Sequence, residues 1–159
     1  LAIVSKEMKP VLIAAALMAP MTAQAIATWQ PIEGVNANYA VESEDFYDIY
    51  LGVFDAQGGY TDIGLYFYND DTSDCTEWEA FTRDGGSFII EDQRVRFDKQ
   101  CQGHQAEMYF PTTQEGTDFI VNQLLSTKGT ITIDSAYDGG TFGEFSTRGF
   151  TAAWQDRAL

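Results

Sequence analysis

The longest helical pattern in this chain sits inside Cys101–Gly129, and it constrains the fold more than any other stretch. Ala106, Met108 and Phe110 alternate as the apolar face of a half-buried strand. Pro111 stops that strand, because proline has no N–H to give to a ladder. Thr112-Thr113-Gln114-Glu115 follows with capping-box spacing, the Thr112 hydroxyl set to take the N–H of Glu115. Phe119, Ile120, Val121, Leu124 and Leu125 then form an apolar helix face. Lys128 suits the negative end of the helix and Gly129 a left-handed C-cap. The spacing predicts one helix over about 113–126. A helix this short is marginal alone, so it needs an apolar surface, and the rest of the chain is patterned to supply one from β structure.

Phe46–Phe54 and Tyr60–Tyr68 are the clearest strand pair. Tyr47, Ile49, Leu51 and Val53 share one face of the first, and Thr61, Ile63, Leu65 and Phe67 one face of the second. The glycine-rich loop Asp55–Gly59 has hairpin length. Pairing Phe54 with Tyr60 puts both apolar sets on one side and sets Gly64 opposite Tyr50. Further along, Thr76–Thr82 alternates with Trp78 and Ala80 on one face, and Arg83-Asp84-Gly85-Gly86 reads as a turn. Ser87–Ile90 and Gln93–Lys99 form a hairpin turning at Glu91-Asp92. Thr130–Asp134 and Phe142–Ser146 pair across the turn at Asp138-Gly139-Gly140, and Phe150, Ala153 and Trp154 end the chain at helical spacing.

Cys75 and Cys101 are the only cysteines, and an even count reads as a disulfide in an oxidising compartment. A bonded pair needs Cα atoms within about 7 Å. A flat meander of equal strands would hold these two apart, so one strand near them is short, bent or in another sheet. The expected fold is mainly β: an antiparallel β-sandwich or partly open barrel of about seven or eight short strands, with the packed helix and a short C-terminal helix.

Residues 1–25 read as a leader. Met8-Lys9-Pro10 is a basic start, with Met8 the natural first residue, Val11–Pro20 is an apolar run too short to span a bilayer, and Ala23-Gln24-Ala25 is a cleavage site. Residues 26–159 would then be a single exported domain, periplasmic or secreted, with no membrane span. The net charge is −15, and between Ile26 and Ala80 there are twelve acids and no Lys or Arg. That excludes a nucleic-acid partner, which needs clustered cations. It admits a cationic partner, although a solvated acidic surface that keeps the chain soluble is the commoner meaning.

Catalytic signatures are sparse. His104 is the only histidine, no G-x-S-x-G elbow occurs, and zinc lacks ligands. Asn69, Asp70, Asp71 and Asp74 share one loop that admits calcium, without EF-hand spacing. No other cofactor is indicated. Asp48 and Asp62 are the paired carboxylates on which a small hydrolase would rest. The sharpest site is the side of the 46–68 hairpin that carries Tyr50, Tyr60, Tyr66 and Tyr68 with Asp48 and Asp62. Tyrosines with nearby acids suit a glycan chain or an extended peptide; the competing reading is that the helix or a second sheet covers them. The tail Phe145–Trp154, FSTRGFTAAW, resembles the end of the invasion-associated locus B family of small periplasmic proteins over ten residues. The resemblance implies a small exported β domain without catalytic apparatus. The expected function is therefore an exported, soluble, non-catalytic binding domain in an accessory, inhibitor or glycan- or peptide-binding role. The alternatives are a small carboxylate-dependent hydrolase and a calcium-dependent binding domain.

Overall fold

The computed structural model describes residues 28–56, 60–137 and 139–156. The leader read at residues 1–25 and the loop tip Gln57–Gly59 lie outside the described residues. Alternating sequences with short turns make antiparallel strands, and eight form here: β1 (Tyr39–Glu42), β2 (Ile49–Ala56), β3 (Tyr60–Phe67), β4 (Arg83–Ile90), β5 (Gln93–Gly103), β6 (Ala106–Pro111), β7 (Thr130–Ser135) and β8 (Thr141–Ser146). They lie in one sheet in the order β1-β2-β3-β6-β5-β4-β7-β8, curled into a nearly closed barrel. Helix α1 (Gln114–Ser126) follows β6 and α2 (Phe150–Gln155) follows β8. Of the two expected architectures, the barrel forms.

The seam between β1 and β8 is bridged without a regular ladder. The Glu44 N–H donates to the Glu144 carbonyl at 2.9 Å, and the Ser43 hydroxyl donates to the Phe142 carbonyl at 2.9 Å. Trp29 closes the next step, its indole N–H donating to the Ser146 carbonyl at 2.8 Å and its backbone N–H to Arg148 at 3.0 Å. Gln30 pairs with Ala40 on the free edge of β1. An open strand edge invites pairing with other chains, and these contacts cover most of it.

The interior follows the period of two. Leu51, Val53, Ile63, Leu65, Phe97, Ile131, Ile133 and Phe145 point inward and are fully buried. On α1 the buried residues are Thr117, Ile120, Val121 and Leu124, and the three aliphatic ones join this cluster. Burial of each such side chain stabilises by about 1.5–3 kcal/mol. Leu125 falls off the stripe and is 44% exposed, since the helix touches the barrel along one narrow line. The N-cap is Thr113, whose hydroxyl accepts the Gly116 N–H at 3.2 Å, one residue later than the capping-box spacing suggests. Thr112 instead donates to Asp98 at 3.2 Å. The C-cap is Thr127, so Gly129, at φ 109°, belongs to the following turn.

Three strand expectations are corrected. The β2–β3 register is shifted by two residues: Ala56 pairs with Tyr60, Phe54 with Asp62 and Tyr50 with Tyr66. A shift of two preserves the faces, so the inward and outward sets stand. Gly52 and Gly64 lie opposite each other, under the rings of Tyr66 and Phe54 respectively, where a Cβ would come within 3.0 Å of ring carbon. Residues 76–82 form no strand beyond a single bridge from Trp78 to Gln102, and the eighth strand is β1, which is too short to show alternation. Arg83-Asp84-Gly85-Gly86 is not a turn but the start of β4, with a bulge between Asp84 and Gly86. Gly86 takes φ 85° there, as bulges with glycine do. Bent in this way, the chain returns Cys75 to Cys101, and the disulfide forms with Cα atoms 5.5 Å apart.

Candidate functional site

On β6 the expected polarity is inverted. Met108 pairs with outward Tyr66, and Tyr109 pairs with inward Leu65. Directly opposite residues share a face, so Ala106, Met108 and Phe110 lie on the outside of the barrel, and Glu107 and Tyr109 lie inside. The apolar outer face of β6 then joins the aromatic outer face of β2 and β3. Together with Gln100 and Gln102 on β5 they form the floor of a groove of about 690 Å³.

Two loops wall this groove. One is Val35–Asn38, ahead of β1, and the other runs from Trp78 to Thr82 into β4. Tyr66 holds the first wall: its hydroxyl donates to the Asn36 carbonyl at 2.9 Å. The Asn36 N–H donates to the Tyr68 hydroxyl at 3.3 Å. The Tyr66 ring stacks on Tyr68 at 6.2 Å and meets Phe54 edge-on at 6.1 Å. Tyr66 is fully buried as a result. Burial, then the nearby Tyr68 and Asp62, push its phenol up far beyond the usual range. The cover over Tyr66 and Tyr68 is thus the 35–38 loop, and the helix reaches this side of the hairpin at Asp62, through Thr117. Trp78, on the other wall, is 61% exposed. It shares its side with Ala80, as the alternation indicates, and both line the groove.

Of the residues singled out in the sequence, Tyr66 and Asp62 line the groove, and Tyr68 supports it from beneath the 35–38 loop. Tyr50 meets Tyr68 edge-on at 6.0 Å. Burial, followed by the charges of Glu42 and Asp48, pushes the Tyr50 phenol up to about 12. The Tyr60 side chain lies outside the described part of the structure. Asp48 and Asp62 are not brought together. Asp48 precedes β2, where its carbonyl accepts the Tyr68 N–H, whereas Asp62 sits opposite Phe54 towards the other end of the hairpin. Asp62 accepts the Ile63 N–H at 2.8 Å and the Thr117 hydroxyl of α1 at 3.0 Å. Burial outweighs those two bonds and raises its carboxyl above the ordinary value. Asp55 lines the same groove.

The acidic loop is engaged in other ways. Asp70 accepts from the N–H and hydroxyl of Thr72, at 2.9 and 2.6 Å. Asp74 pairs with Arg83 at 2.9 Å and Lys99 at 2.7 Å. The carboxylates of Asp70, Asp71 and Asp74 are not gathered within one ion's reach. Among the described residues, the acidic and sulfur atoms that do converge are those of Asp74, Cys75 and Glu107, and Cys75 is held in the disulfide.

Sequence reasoning missed the Asn36 wall, the amides of Gln100 and Gln102, and the outward face of β6. The alternation of Ala106, Met108 and Phe110 was the available signal, but alternation marks two faces without saying which one is the core. Among the described residues, no helix is long and apolar enough to cross a membrane. Comparison with known protein families, curated proteins and solved structures gives no match. The likeness of the tail to the invasion-associated locus B family therefore stays a likeness of ten residues.

Proposed function

We propose that this chain is an exported, non-catalytic binding domain whose outer groove takes a neutral glycan chain. The observation that carries the reading is the exposed indole of Trp78 on the rim, facing a floor of Phe54, Met108 and Phe110. An aromatic face with a polar surround suits the C–H face of a sugar ring. Hydroxyl partners are at hand in Asn38, Asp55 and Asp62, and in the remaining amide hydrogens of Gln100 and Gln102, which also donate to the Glu79 carbonyl and to Gln100 Oε1. No Lys or Arg lines the groove, which disfavours an acidic ligand. An extended peptide is also disfavoured. Peptides that add to a sheet use an unpaired strand edge, and the floor strands here are paired with their neighbours in the barrel. Export is supported by the leader pattern and is compatible with the formed disulfide.

The test is a titration with cello-, chito- and malto-oligosaccharides, followed by tryptophan fluorescence and calorimetry. One series should bind and alter the emission of the exposed tryptophan. Trp78→Ala should weaken that binding about tenfold or more, as expected for an exposed aromatic anchor, while leaving the urea midpoint within about 0.5 kcal/mol of the parent. Tyr66→Ala should instead destabilise the fold by about 3–5 kcal/mol, because its ring is buried and its hydroxyl holds the loop. Binding of unfolded peptides but of no glycan would replace this reading with peptide recognition. A hydrolase reading rests on Asp55 and Asp62 in the same groove, with the Asp62 carboxyl raised by burial. Release of shortened sugars that stops in Asp62→Asn would favour it.

A further inference from the structure

A second concavity of about 330 Å³ opens inside the barrel, where β3 ends and β6 begins. Its walls are four aromatic rings in a closed circuit. Phe67 meets Tyr109 at 5.4 Å, Tyr109 meets Phe88 at 5.2 Å, Phe88 meets Phe142 at 5.1 Å and Phe142 meets Phe67 at 5.0 Å, each edge to face. An eight-stranded barrel is either filled by its own side chains or holds one small ligand, and barrel mouths are common ligand sites.

The polar groups decide the chemistry. Three carboxylates line the mouth, Asp70, Asp74 and Glu107, against one ammonium, Lys99. Lys99 lies 2.7 Å from Asp74, 2.6 Å from Glu107 and 5.9 Å above the Tyr109 ring. Glu107 is 4% exposed and also accepts the Ser73 hydroxyl and, at 2.6 Å, the Tyr109 hydroxyl. Burial alone would lower the Lys99 pKa, but its bonds to Asp74 and Glu107 outweigh that and raise it. The site therefore already holds a primary ammonium between carboxylates and an aromatic face, the two surroundings that attract such a group. Arg83 holds the other oxygen of Asp74 at 2.9 Å, so the negative charge left in excess is that of Asp70. Asp70 meets no cation among the described residues and stands at the outer lip.

We propose that this mouth is a second binding site, for a small organic amine with an aromatic or apolar body. The body lies against Phe67 and Phe142, and the ammonium faces Asp70. An anion of the same shape would meet three carboxylates and is excluded.

Phenethylamine, phenylethanol and phenylacetate, matched in body and different in charge, are titrated into the full chain and followed by aromatic NMR shifts. The amine should shift the signals of Phe67, Tyr109 and Phe142 and saturate below about 10 mM, weak binding of a few kcal/mol. Phenylacetate should not bind. Asp70→Asn keeps the acceptor for Thr72 and removes the charge, and it should weaken the amine about two- to fivefold, the range of an exposed charge pair. Trp78→Ala, in the outer groove, should leave the amine affinity unchanged, so failure of the glycan reading and failure of this one are separable. Lys99→Met leaves Glu107 without its cation and should bind the amine more tightly; if it does not fold, Asp70→Asn still decides. Equal binding of amine and acid, no saturation by about 10 mM, or no effect of Asp70→Asn overturns the proposal.

Discussion

Asp62 shows how one side chain serves two neighbours at a cost. It anchors α1 through Thr117 and lines the groove, yet it does so partly buried and without a cation beside it. Burial raises its folded pKa above the unfolded value, so the fold favours the protonated form. Its contribution is fully present below the unfolded pKa and is lost as pH rises through the folded pKa. At neutral pH the ionised group therefore costs stability. Asp62→Asn keeps an oxygen for Ile63 and Thr117 and should raise the melting temperature at pH 7. The gain should fade as the pH drops through the ordinary aspartate value of about 3.9 and be lost by about pH 2.5. An equal gain at both pH values would assign the effect to packing. The sequence marks Asp62 as lying among tyrosines on the outer face; it does not reveal Thr117, fifty-five residues away, as its partner.

At the scale of elements, the strands were legible where alternation ran for several residues and illegible where glycine had two meanings. Gly85-Gly86 has the composition of a turn, but the pair lets β4 pass close to its neighbours. A Cβ on Gly85 would lie 2.9 Å from the Tyr109 ring and 3.0 Å from the backbone of Phe97 and Asp98. Backbone cannot yield as a flexible side-chain tip can. Gly85→Ala should therefore destabilise by about 1–3 kcal/mol, the usual cost of overpacking. Chemical denaturation measures it, and a neutral result would show that the strand shifts freely at the bulge. The helix was legible in its bounds and in three of its buried residues. Its cap was not, because Thr112 and Thr113 are equivalent by composition and the pull of Asp98 on Thr112 is tertiary.

At the scale of the molecule, the barrel is held by side chains from distant segments. The disulfide fixes the 75–82 wall of the groove to β5, and Arg83 lies beside it, its Nη2 donating to Cys101 Sγ at 3.0 Å. Closing a loop of about 27 residues stabilises by roughly 3.5 kcal/mol in the chain-entropy model. A double Cys75→Ser, Cys101→Ser variant should lose about that much, read from the urea midpoint, and the groove wall should loosen with it. A loss under about 1 kcal/mol would show that the barrel contacts hold the wall without the bond. The sequence alone carries what local chemistry decides: the period of the longer strands, the existence of α1, the pairing of the only two cysteines and the outward side of Tyr50 and Tyr66. Only the tertiary structure decided which face of β6 is the core, that Trp29 and Ser43 close the seam, and that Asn36 walls the groove. Those outcomes depend on the curvature of the sheet. Curvature fixes which faces meet across the barrel, and no short window of sequence contains it.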